Sequence, residues 1–339
     1  MYTMKKKNIR FKNKIVTTKT PLRISFSGGG TDMPYFFNKN TGITISSSID
    51  KYIYVTVKLH ENFNEKYRLN YFETETVNNI NSIKNLRIRE TLKYFKIKEP
   101  LYISTISDLP YNTGLGSSSS FLIGLIHAIF LLKQKEINYS SICETAFKIE
   151  NKITNNSLGK QDHYIAAYGG LKKIFYKKNK VEINKIHLSK KKLNYINDNL
   201  IFFWTGKSRL SNKNLSQQKK NFKSNLNNLL KLKELTEKLN IELLKKQINI
   251  EKLGIILDQS WKLKKSFSST ISNKYLNNIY DKAISTGCYG GKLLGAGGGG
   301  FFLFFCKKKL HKKVEKKLNN CSKIDFRFEN EGSSLKFIN

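Results

Sequence analysis

The segment Asp108–Ser120 reads DLPYNTGLGSSSS, and an apolar run from Phe121 to Leu132 follows it at once. Glycine and serine ahead of such a run predict a turn that opens a helix. At this kind of turn several backbone N–H groups and the positive end of the helix dipole point to one place. Gly114 and Gly116 let the backbone come close to a ligand, and the serine hydroxyls can donate to phosphate oxygens. The stretch therefore predicts a site for the phosphates of a nucleotide.

The same stretch could also form an ordinary helix N-cap, so it does not by itself distinguish a phosphate site from a cap. The cluster Gly28–Asp32 (GGGTD) follows a strand-like run, and the cluster Gly295–Gly300 (GAGGGG) precedes another, Phe301–Phe305. Three glycine-rich loops in one chain indicate one shared ligand site.

The order of the three loops resembles the GHMP small-molecule kinase superfamily. Its motifs run Pro-x-Arg/Lys…Gly…Asp near the N-terminus, Pro-x-x-x-Gly-Leu-Gly-Ser-Ser-Ser/Ala in the centre, and a glycine-rich loop near the C-terminus. All three are present here in that order. The resemblance implies an α+β fold with an S5-like domain, at residues 14–200, and a ferredoxin-like domain, at residues 201–339. The active site would then lie in the cleft between them.

Residue patterns alone predict a chain of mixed elements that suits a small α+β sandwich. Strands are expected over residues 14–71. Further strands are expected over 101–106, 172–176, 181–187, 200–204, 292–294, 301–306 and 323–328. Helices are expected over 82–95, 118–133, 139–152, 160–168, 274–285 and 310–318, with two more within 211–265.

Composition limits the classes of protein that this chain can belong to. No stretch is long and apolar enough to span a bilayer, and the N-terminal lysines precede polar residues where a signal peptide needs an apolar region. We therefore expect a soluble, cytoplasmic protein without a membrane partner. The four cysteines show no Cys-x-x-Cys pairing and no histidine at metal-ligand spacing, so we expect reduced thiols without chemistry.

The formal net charge is +36, from 61 Lys and Arg against 25 Asp and Glu. Alone, this charge would indicate a nucleic acid or an anionic membrane. Lysine is spread along the whole chain, however, and the densest runs lie outside the glycine loops. None of those runs alternates with aromatic residues as a single-strand groove would. We predict no nucleic-acid partner and expect the positive field to attract anionic substrates.

Phosphoryl transfer requires a phosphate cradle, a metal ion and a group that orients the acceptor hydroxyl. For Mg²⁺ the resemblance assigns Ser118 and Glu150 as ligands, and a hydroxyl and a carboxylate suit this hard ion. Glu150 could instead be a solvated carboxylate at a helix end. The predicted ATP-binding residues are Pro110, Gly114, Leu115, Gly116, Ser117, Ser118 and Ser119.

Asp162 is the predicted catalytic base. It lies between a loop and a short helix, flanked by Lys160 and His163, where it can accept a proton from a substrate hydroxyl or hold that hydroxyl for attack. A plain helix N-cap is the alternative. The resemblance gives the matching aspartate the role of base in galactokinase-like and mevalonate kinase-like members. It also places Arg23, the basic residue of the first motif, near the transferred phosphoryl group.

Asp32 matches the acidic residue that binds sugar hydroxyls in the sugar-kinase branches, and its two oxygens can take two neighbouring hydroxyls. The preceding Gly29, Gly30 and Thr31 complete the predicted substrate loop. Galactokinases carry Gly-Glu-His where this chain has three glycines, and this departure disfavours galactose.

The GGGTD stretch, with Gly159–Asp162 and Thr205–Arg209, most resembles the D-glycero-D-manno-heptose 7-phosphate kinase branch, although fucokinase-like proteins share GGGTD. Members of that branch phosphorylate the anomeric hydroxyl, giving a 1,7-bisphosphate on the way to nucleotide-activated heptose for surface glycans. A substrate that already carries a phosphate needs a cationic pocket. The candidates are Lys207 and Arg209, with Lys160 as an alternative, and each could instead be an unpaired surface charge.

The third glycine loop also fits Gly-x-Gly-x-x-Gly, the dinucleotide-binding pattern. A β-forming aromatic run follows it where that pattern needs a helix, which excludes a Rossmann site. A Walker P-loop and the His-Arg-Asp of protein kinases are both missing from the sequence. The resemblance gives this loop, through Gly297, Gly298 and Gly299, a structural role against the central phosphate loop.

The predicted function is therefore that of an ATP-dependent sugar-phosphate kinase. One alternative is a kinase of a free sugar such as fucose. Another is a basic RNA-binding protein, because the S5-like fold also occurs in ribosomal proteins. Glu150 and Asp162 beside the serine loop favour a kinase, since without a metal these carboxylates would repel RNA phosphates. The sequence leaves open whether the protein is a monomer or a homodimer.

Overall fold

The computed structural model describes residues 14–61, 65–208 and 211–339 of the chain. The strands are β1 (Ile15–Ser27), β2 (Gly42–Leu59), β3 (Tyr67–Asn70), β4 (Thr74–Val77), β5 (Leu101–Ser107), β6 (Leu171–Lys177), β7 (Lys180–Lys185), β8 (Leu200–Trp204), β9 (Gly290–Leu293), β10 (Phe301–Phe305), β11 (Ser322–Lys323) and β12 (Ser334–Ile338). The helices are α1 (Pro34–Phe37), α2 (Leu86–Tyr94), α3 (Ser117–Leu132), α4 (Tyr139–Ile153), α5 (Gln161–Tyr168), α6 (Lys190–Asp198), α7 (Ser211–Lys220), α8 (Phe222–Leu244), α9 (Ile250–Lys265), α10 (Lys274–Ser285) and α11 (His311–Lys317). Two single 3₁₀ turns lie at Ile80–Ser82 and Lys308–Leu310.

The first sheet is built around β1 and β2, two long antiparallel strands. Its main path runs β12-β1-β2-β5-β3-β4. The length of β2 lets its first part pair with β6 and its last part with β5, so that β6 and β7 extend the sheet beside the main path. All of these pairs are antiparallel except β3 with β5. The long β1–β2 ladder holds the first glycine loop at the end of β1.

The second sheet has the antiparallel order β11-β8-β10-β9. Its central strand β10 reads FFLFF, and alternate side chains of a strand point to opposite faces. Phe302 and Phe304 pack with Trp261 of α9 and Tyr280 of α10. The opposite face of β10 belongs to a core shared with β1, where Phe305 stacks on Phe26. The two halves of the chain are therefore joined through one apolar core.

Helix α3 is buried on almost every side, because it lies against β1 and β2 and is covered by α4 and α5. This explains why its sequence is apolar all round rather than along one stripe. Within the described ranges, no helix is both long and apolar enough to cross a membrane. The apolar helix is therefore the centre of the first half of the fold, and its N-terminus opens toward the second half.

The expected α+β fold is confirmed, and most predicted elements are found within a few residues of their expected bounds. Residues 211–265 form three helices rather than two. The additional helix end lies at Asn221, which separates α7 from α8. The strand expected over 323–328 is reduced to Ser322–Lys323. Strand β12 was not predicted, because its side chains are mostly exposed. It pairs with β1. The domain division at residue 200 stays a prediction, and β12 lies beyond it in sequence while belonging to the first sheet.

Candidate active site

All three glycine-rich loops line one cleft between the two halves of the chain. The first half contributes Gly29 and Gly30 after β1, and Gly114 and Gly116 before α3. The second half contributes Gly295 with residues of α7, α9 and β9. The shared ligand site expected from the three loops is therefore geometrically possible.

The phosphate loop ends at Gly116, which is the N-cap residue of α3 and has a left-handed backbone with φ of 74°. A Cβ at this position would lie 3.2 Å from Cγ of Arg23 and 3.4 Å from Oδ2 of Asp162. Glycine thus permits both the turn and the close approach of these side chains. Because glycine has no side chain to cap the helix, the first N–H groups of α3 are left for an anion.

The predicted ATP-binding residues divide into two groups. Gly114, Gly116, Ser117 and Ser118 line the cleft. The other three do not: Pro110 is exposed, Leu115 is buried in the core, and the Ser119 hydroxyl donates to Glu150 at 2.8 Å. Four of the seven predicted residues therefore line the cleft, and the ATP-binding role of all seven stays a prediction.

Arg23 and Asp162, both predicted as catalytic, form a two-pronged ion pair. Nε of Arg23 donates to Oδ1 of Asp162 at 2.7 Å, and Nη2 donates to Oδ2 at 2.6 Å. Nη1 of Arg23 donates to the Gly114 carbonyl at 2.7 Å, so the same side chain ties the carboxylate to the phosphate loop. Oδ2 keeps a lone pair for a substrate hydroxyl. The predicted base is thus fixed beside the helix N-terminus.

Asp32 is the second carboxylate of the cleft, and its side chain is held by backbone N–H groups. Gly30 donates to Oδ1 at 2.9 Å, and Gln161 donates to Oδ2 at 3.1 Å. Burial raises the pKa of Asp32 above its ordinary value, the Gly30 N–H opposes that rise, and the charge of Asp162 adds to it. Thr31 points away from the cleft and bonds the carbonyls of Gly28 and Ile43. Its role is to hold the loop in shape.

Gln161 links the two carboxylates and was not predicted from the sequence. Its side-chain oxygen accepts from the Ser25 hydroxyl at 3.0 Å, and its Nε2 donates to Oδ1 of Asp162 at 3.3 Å. Its backbone N–H is the one that bonds Asp32. A glutamine immediately before the predicted base was visible in the sequence, but nothing there marked it as a bridge.

Glu150, predicted as a metal ligand, is fully buried and does not line the cleft. Arg87 donates to its Oε1 from Nε and Nη2, at 2.8 and 2.7 Å, and Ser119 donates to Oε2. Nε2 of His163 lies 2.8 Å from the same Oε2. Burial raises the pKa of Glu150, but Arg87 and the hydrogen bonds of His163 and Ser118 outweigh that effect and lower it.

These contacts decide how the predicted metal ligands fit Mg²⁺. Ser118 lines the cleft, and its hydrogen bond to Glu150 shows that the predicted pair is close together. Both oxygens of Glu150, however, already accept protein donors. In this arrangement the Glu150 oxygens face protein donors and Ser118 faces the cleft, and the assignment of both as Mg²⁺ ligands stays a prediction.

The lysines predicted to bind a substrate phosphate lie outside the cleft lining. Nζ of Lys160 contacts Oε1 of Glu144 at 2.6 Å, and Nζ of Lys207 lies 4.5 Å from the ring centre of Tyr275. Neither side chain is in place to bind a phosphate in the cleft. Arg209 lies outside the described residues, so its predicted role remains a prediction.

The third glycine loop packs against the central loop through Gly300, one residue beyond those predicted. A Cβ at Gly300 would lie 2.3 Å from the Thr113 carbonyl oxygen, which leaves room only for glycine. Gly297 instead approaches Ile271, where a Cβ would lie 2.6 Å from Cα. Gly298 donates to the Ile271 carbonyl at 2.8 Å, and a Cβ at Gly299 would lie 2.7 Å from the Lys207 carbonyl. These glycines shape the loop itself.

Two buried lysines of the second half also line the cleft, and sequence reasoning missed both. Lys292 lies on β9 and Lys264 near the end of α9. Lys264 is one of several lysines in its helix, so composition hides it. Lys292 stands among glycine and leucine directly before the third loop, and a lone cation in an apolar strand was the available signal.

Comparison with known proteins gives the relatives of this chain. Residues 81–170 match the family described as GHMP kinases N terminal domain, and residues 240–323 match GHMP kinases C terminal. A D-glycero-alpha-D-manno-heptose 7-phosphate kinase of Campylobacter jejuni is 30% identical over 299 residues, covering 84% of this chain and 87% of that protein. A galactokinase of Pyrococcus furiosus is 26% identical over 83% of this chain and 86% of its own length.

A solved structure resembles the fold over almost its whole length. It is described as a D-glycero-D-manno-heptose 1-phosphate kinase from Bacteriodes thetaiotaomicron, and it aligns with a TM-score of 0.78 over 96% of this chain and 99% of that chain. At 21% identity this likeness concerns the fold alone.

Proposed function

This chain belongs to the GHMP kinases, which transfer a phosphoryl group from ATP to an alcohol, and we propose that its acceptor is the anomeric hydroxyl of a sugar phosphate. The acceptor that we propose is D-glycero-D-manno-heptose 7-phosphate, and the product is the 1,7-bisphosphate. The 30% identical relative with that substrate in its name supports this choice over a free sugar. The GGGTD loop in place of Gly-Glu-His supports it over galactose.

The observation that carries the proposed chemistry is the Arg23–Asp162 pair beside the N-terminus of α3. In the reaction, the acceptor oxygen forms a bond to the γ-phosphorus, the bond from that phosphorus to the β-bridging oxygen breaks, and ADP leaves with the electron pair. The proton of the acceptor hydroxyl goes to Oδ2 of Asp162. Because the transition state of phosphoryl transfer is loose, positioning the acceptor hydroxyl is the larger part of what Asp162 contributes.

Arg23 has two functions in this proposal. It orients Asp162 through both carboxylate oxygens, and through Gly114 it holds the phosphate loop at a fixed distance from that base. The N–H groups at the start of α3 and the helix dipole stabilise the negative charge on the phosphates. Mg²⁺, when bound, would neutralise phosphate charge, and Ser118 is the cleft residue that would hold it.

Asp32 and Gln161 position the acceptor in this proposal. The backbone bonds to Asp32 fix its carboxylate at the wall of the cleft, where its remaining lone pairs can accept sugar hydroxyls. Gln161 couples the position of Asp32 to that of Asp162. Holding the acceptor in line with the γ-phosphate is the main contribution of such a site to the rate.

The test is a substrate panel with identification of the product. We would measure Mg²⁺-dependent ADP release with heptose 7-phosphate beside mannose, fucose, galactose and mevalonate, and locate the new phosphate by phosphorus NMR. Turnover of the heptose phosphate, with a second phosphorus signal from an anomeric phosphate, is the expected result. Higher catalytic efficiency on a free sugar would refute the proposed acceptor while keeping the kinase.

A further inference from the structure

The wall of the cleft that belongs to the second half carries two buried cations. The exposed fraction is 4% for Lys292 and 8% for Lys264. Nζ of Lys292 donates to the Phe26 carbonyl at 3.2 Å, and Nζ of Lys264 contacts the Gly295 carbonyl. An ammonium group has three donors, so one carbonyl does not satisfy Lys292. Among the described residues, no carboxylate forms an ion pair with Lys292.

A buried cation of this kind is costly unless an anion joins it. Burial, and after it the charge of Arg23, lowers the pKa of Lys292 to about 7. The charge of Arg23 is already balanced by Asp162. Lys292 therefore adds a positive charge that no carboxylate of the described residues pairs with, while Asp162 already balances Arg23, and a buried cation in this state favours a bound anion.

The position of the lysines indicates which anion. The side of the cleft that we assign to the triphosphate is lined by residues between 112 and 118, which lead into the first turn of α3. Lys292 instead bonds Phe26, just before the Gly28–Asp32 loop that we assign to the acceptor. This loop borders open space, since a Cβ at Gly29 would meet nothing within 4 Å. The charge of Lys292 therefore borders the acceptor loop, and Lys264 lines the same cleft from α9.

We infer that Lys292 and Lys264 form a phosphate subsite that binds the phosphate already carried by the acceptor. The inference rests on the proposed function, because it assigns the residues that would distinguish a sugar phosphate from a free sugar. It replaces Lys160 and Lys207, which lie outside the cleft, as the source of that recognition. Phosphate groups can also come from ATP, so the test separates these two sources.

The test uses the full chain saturated with a non-hydrolysable ATP analogue and Mg²⁺, so that the triphosphate positions are filled. Calorimetric titration would measure the binding of heptose 7-phosphate, of heptose without phosphate and of inorganic phosphate. The variants are Lys292→Met and Lys264→Met, with Lys262→Met as the control, since Lys262 lies on the exposed face of α9 paired with Asp258. Removing a buried cation should not unfold the protein, and thermal unfolding of each variant checks this.

We expect Lys292→Met and Lys264→Met to weaken heptose 7-phosphate binding by about 10-fold or more, the loss typical of a charge-assisted hydrogen bond. Binding of heptose and of the ATP analogue should stay within about 2-fold of the native protein, because neither ligand carries the phosphate that the two lysines would bind. Inorganic phosphate should bind the native protein and the Lys262→Met control but not Lys292→Met.

Two results would overturn the inference. One is a loss of affinity for the ATP analogue with heptose 7-phosphate binding unchanged, which would assign the lysines to the γ-phosphate. The other is inorganic phosphate that binds neither the native protein nor the variants, or all of them equally. Failure of the proposed function gives a different result. The native protein would then turn over a free sugar better than the heptose phosphate, and the binding of inorganic phosphate would still depend on Lys292.

Discussion

Two arginine–carboxylate pairs lie near the N-terminal half of α3, and they are arranged in opposite ways. In the cleft the arginine is buried and the carboxylate is reachable, with side-chain exposures of 5% for Arg23 and 23% for Asp162. Beneath α3 the carboxylate is buried and the arginine is at the surface, with 0% for Glu150 and 29% for Arg87. The buried Arg23 thus leaves the carboxylate of Asp162 reachable from the cleft, while the partly exposed Arg87 covers the carboxylate of Glu150.

The difference shows what each pair can contribute. Asp162 faces the phosphate loop and keeps an oxygen lone pair for the acceptor. Glu150 joins α4 to α2 through Arg87, to α3 through Ser119 and to α5 through His163. The first pair is therefore expected to affect catalysis, and the second to affect stability.

Of the two arginines, Arg23 should affect the rate most, and Arg23→Lys tests this. Lysine keeps the charge but cannot make two parallel bonds to Asp162 and a third to the Gly114 carbonyl. We expect kcat to fall by about 10²- to 10³-fold, as for the loss of one preorganised group in an active site. Steady-state kinetics would measure this, with Arg87→Lys as the matched control. Equal losses in the two variants would remove the distinction between the pairs.

Arg87→Met should instead affect stability. This change leaves Glu150 charged and buried without its main partner, which costs about 3–5 kcal/mol. Urea unfolding would measure the loss. The double variant Arg87→Met/Glu150→Gln removes the uncompensated charge and should recover part of the stability. If the single variant were as stable as the native protein, Glu150 would not depend on Arg87.

Acid should weaken the buried pair selectively. The pKa of Glu150 is lowered on folding, so the folded state binds fewer protons and the pair stabilises the protein fully above the unfolded value of 4.5. This contribution is lost progressively as the pH falls from 4.5 toward the lower folded pKa. Unfolding curves of native protein and Glu150→Gln should therefore converge in that range. A constant difference between them below pH 4.5 would contradict the lowered pKa.

Lys152→Met should have the smallest effect, because it removes a pair that joins the same two helices, α4 and α2, at the surface. Lys152 has 77% side-chain exposure and contacts Glu90 at 3.1 Å. Pairs of this kind contribute about 0–1 kcal/mol because water and salt screen them. The same urea titration serves as the measurement. A loss comparable to that of Arg87→Met would mean that burial does not separate the two pairs.

Much of the fold followed from local sequence signals. The apolar run after Gly116 marked α3 closely, and the strand ends at Leu200 and Trp204 were located correctly. The break at Asn221 was missed because the largely polar sequence, with apolar residues at helical spacing, continues through it. Strand β12 was missed because its side chains are mostly exposed and its pairing with β1 joins residues more than 300 positions apart.

The site was partly predictable for the same reason. Arg23, Asp32 and Asp162 stand in motifs, so a resemblance located them, and the fold brings all three to one cleft. The environment of Glu150 was not predictable, because Arg87 is 63 residues away and reaches it only when α2 packs on α4. Lys264 is hidden for another reason: in a chain with 61 Lys and Arg, composition does not show which lysine of a lysine-rich helix is buried.

If the carboxylate in the cleft carries the chemistry, kcat should depend on Asp162, and Asp162→Asn is the variant to measure. The control is Asp325→Asn, because Asp325 is 91% exposed and does not line the cleft. At saturating ATP and heptose 7-phosphate, we predict a fall of about 10²- to 10⁴-fold for Asp162→Asn, with normal folding and an unchanged control. If folded Asp162→Asn kept activity within a few-fold of the native enzyme, Asp162 would not carry the chemistry.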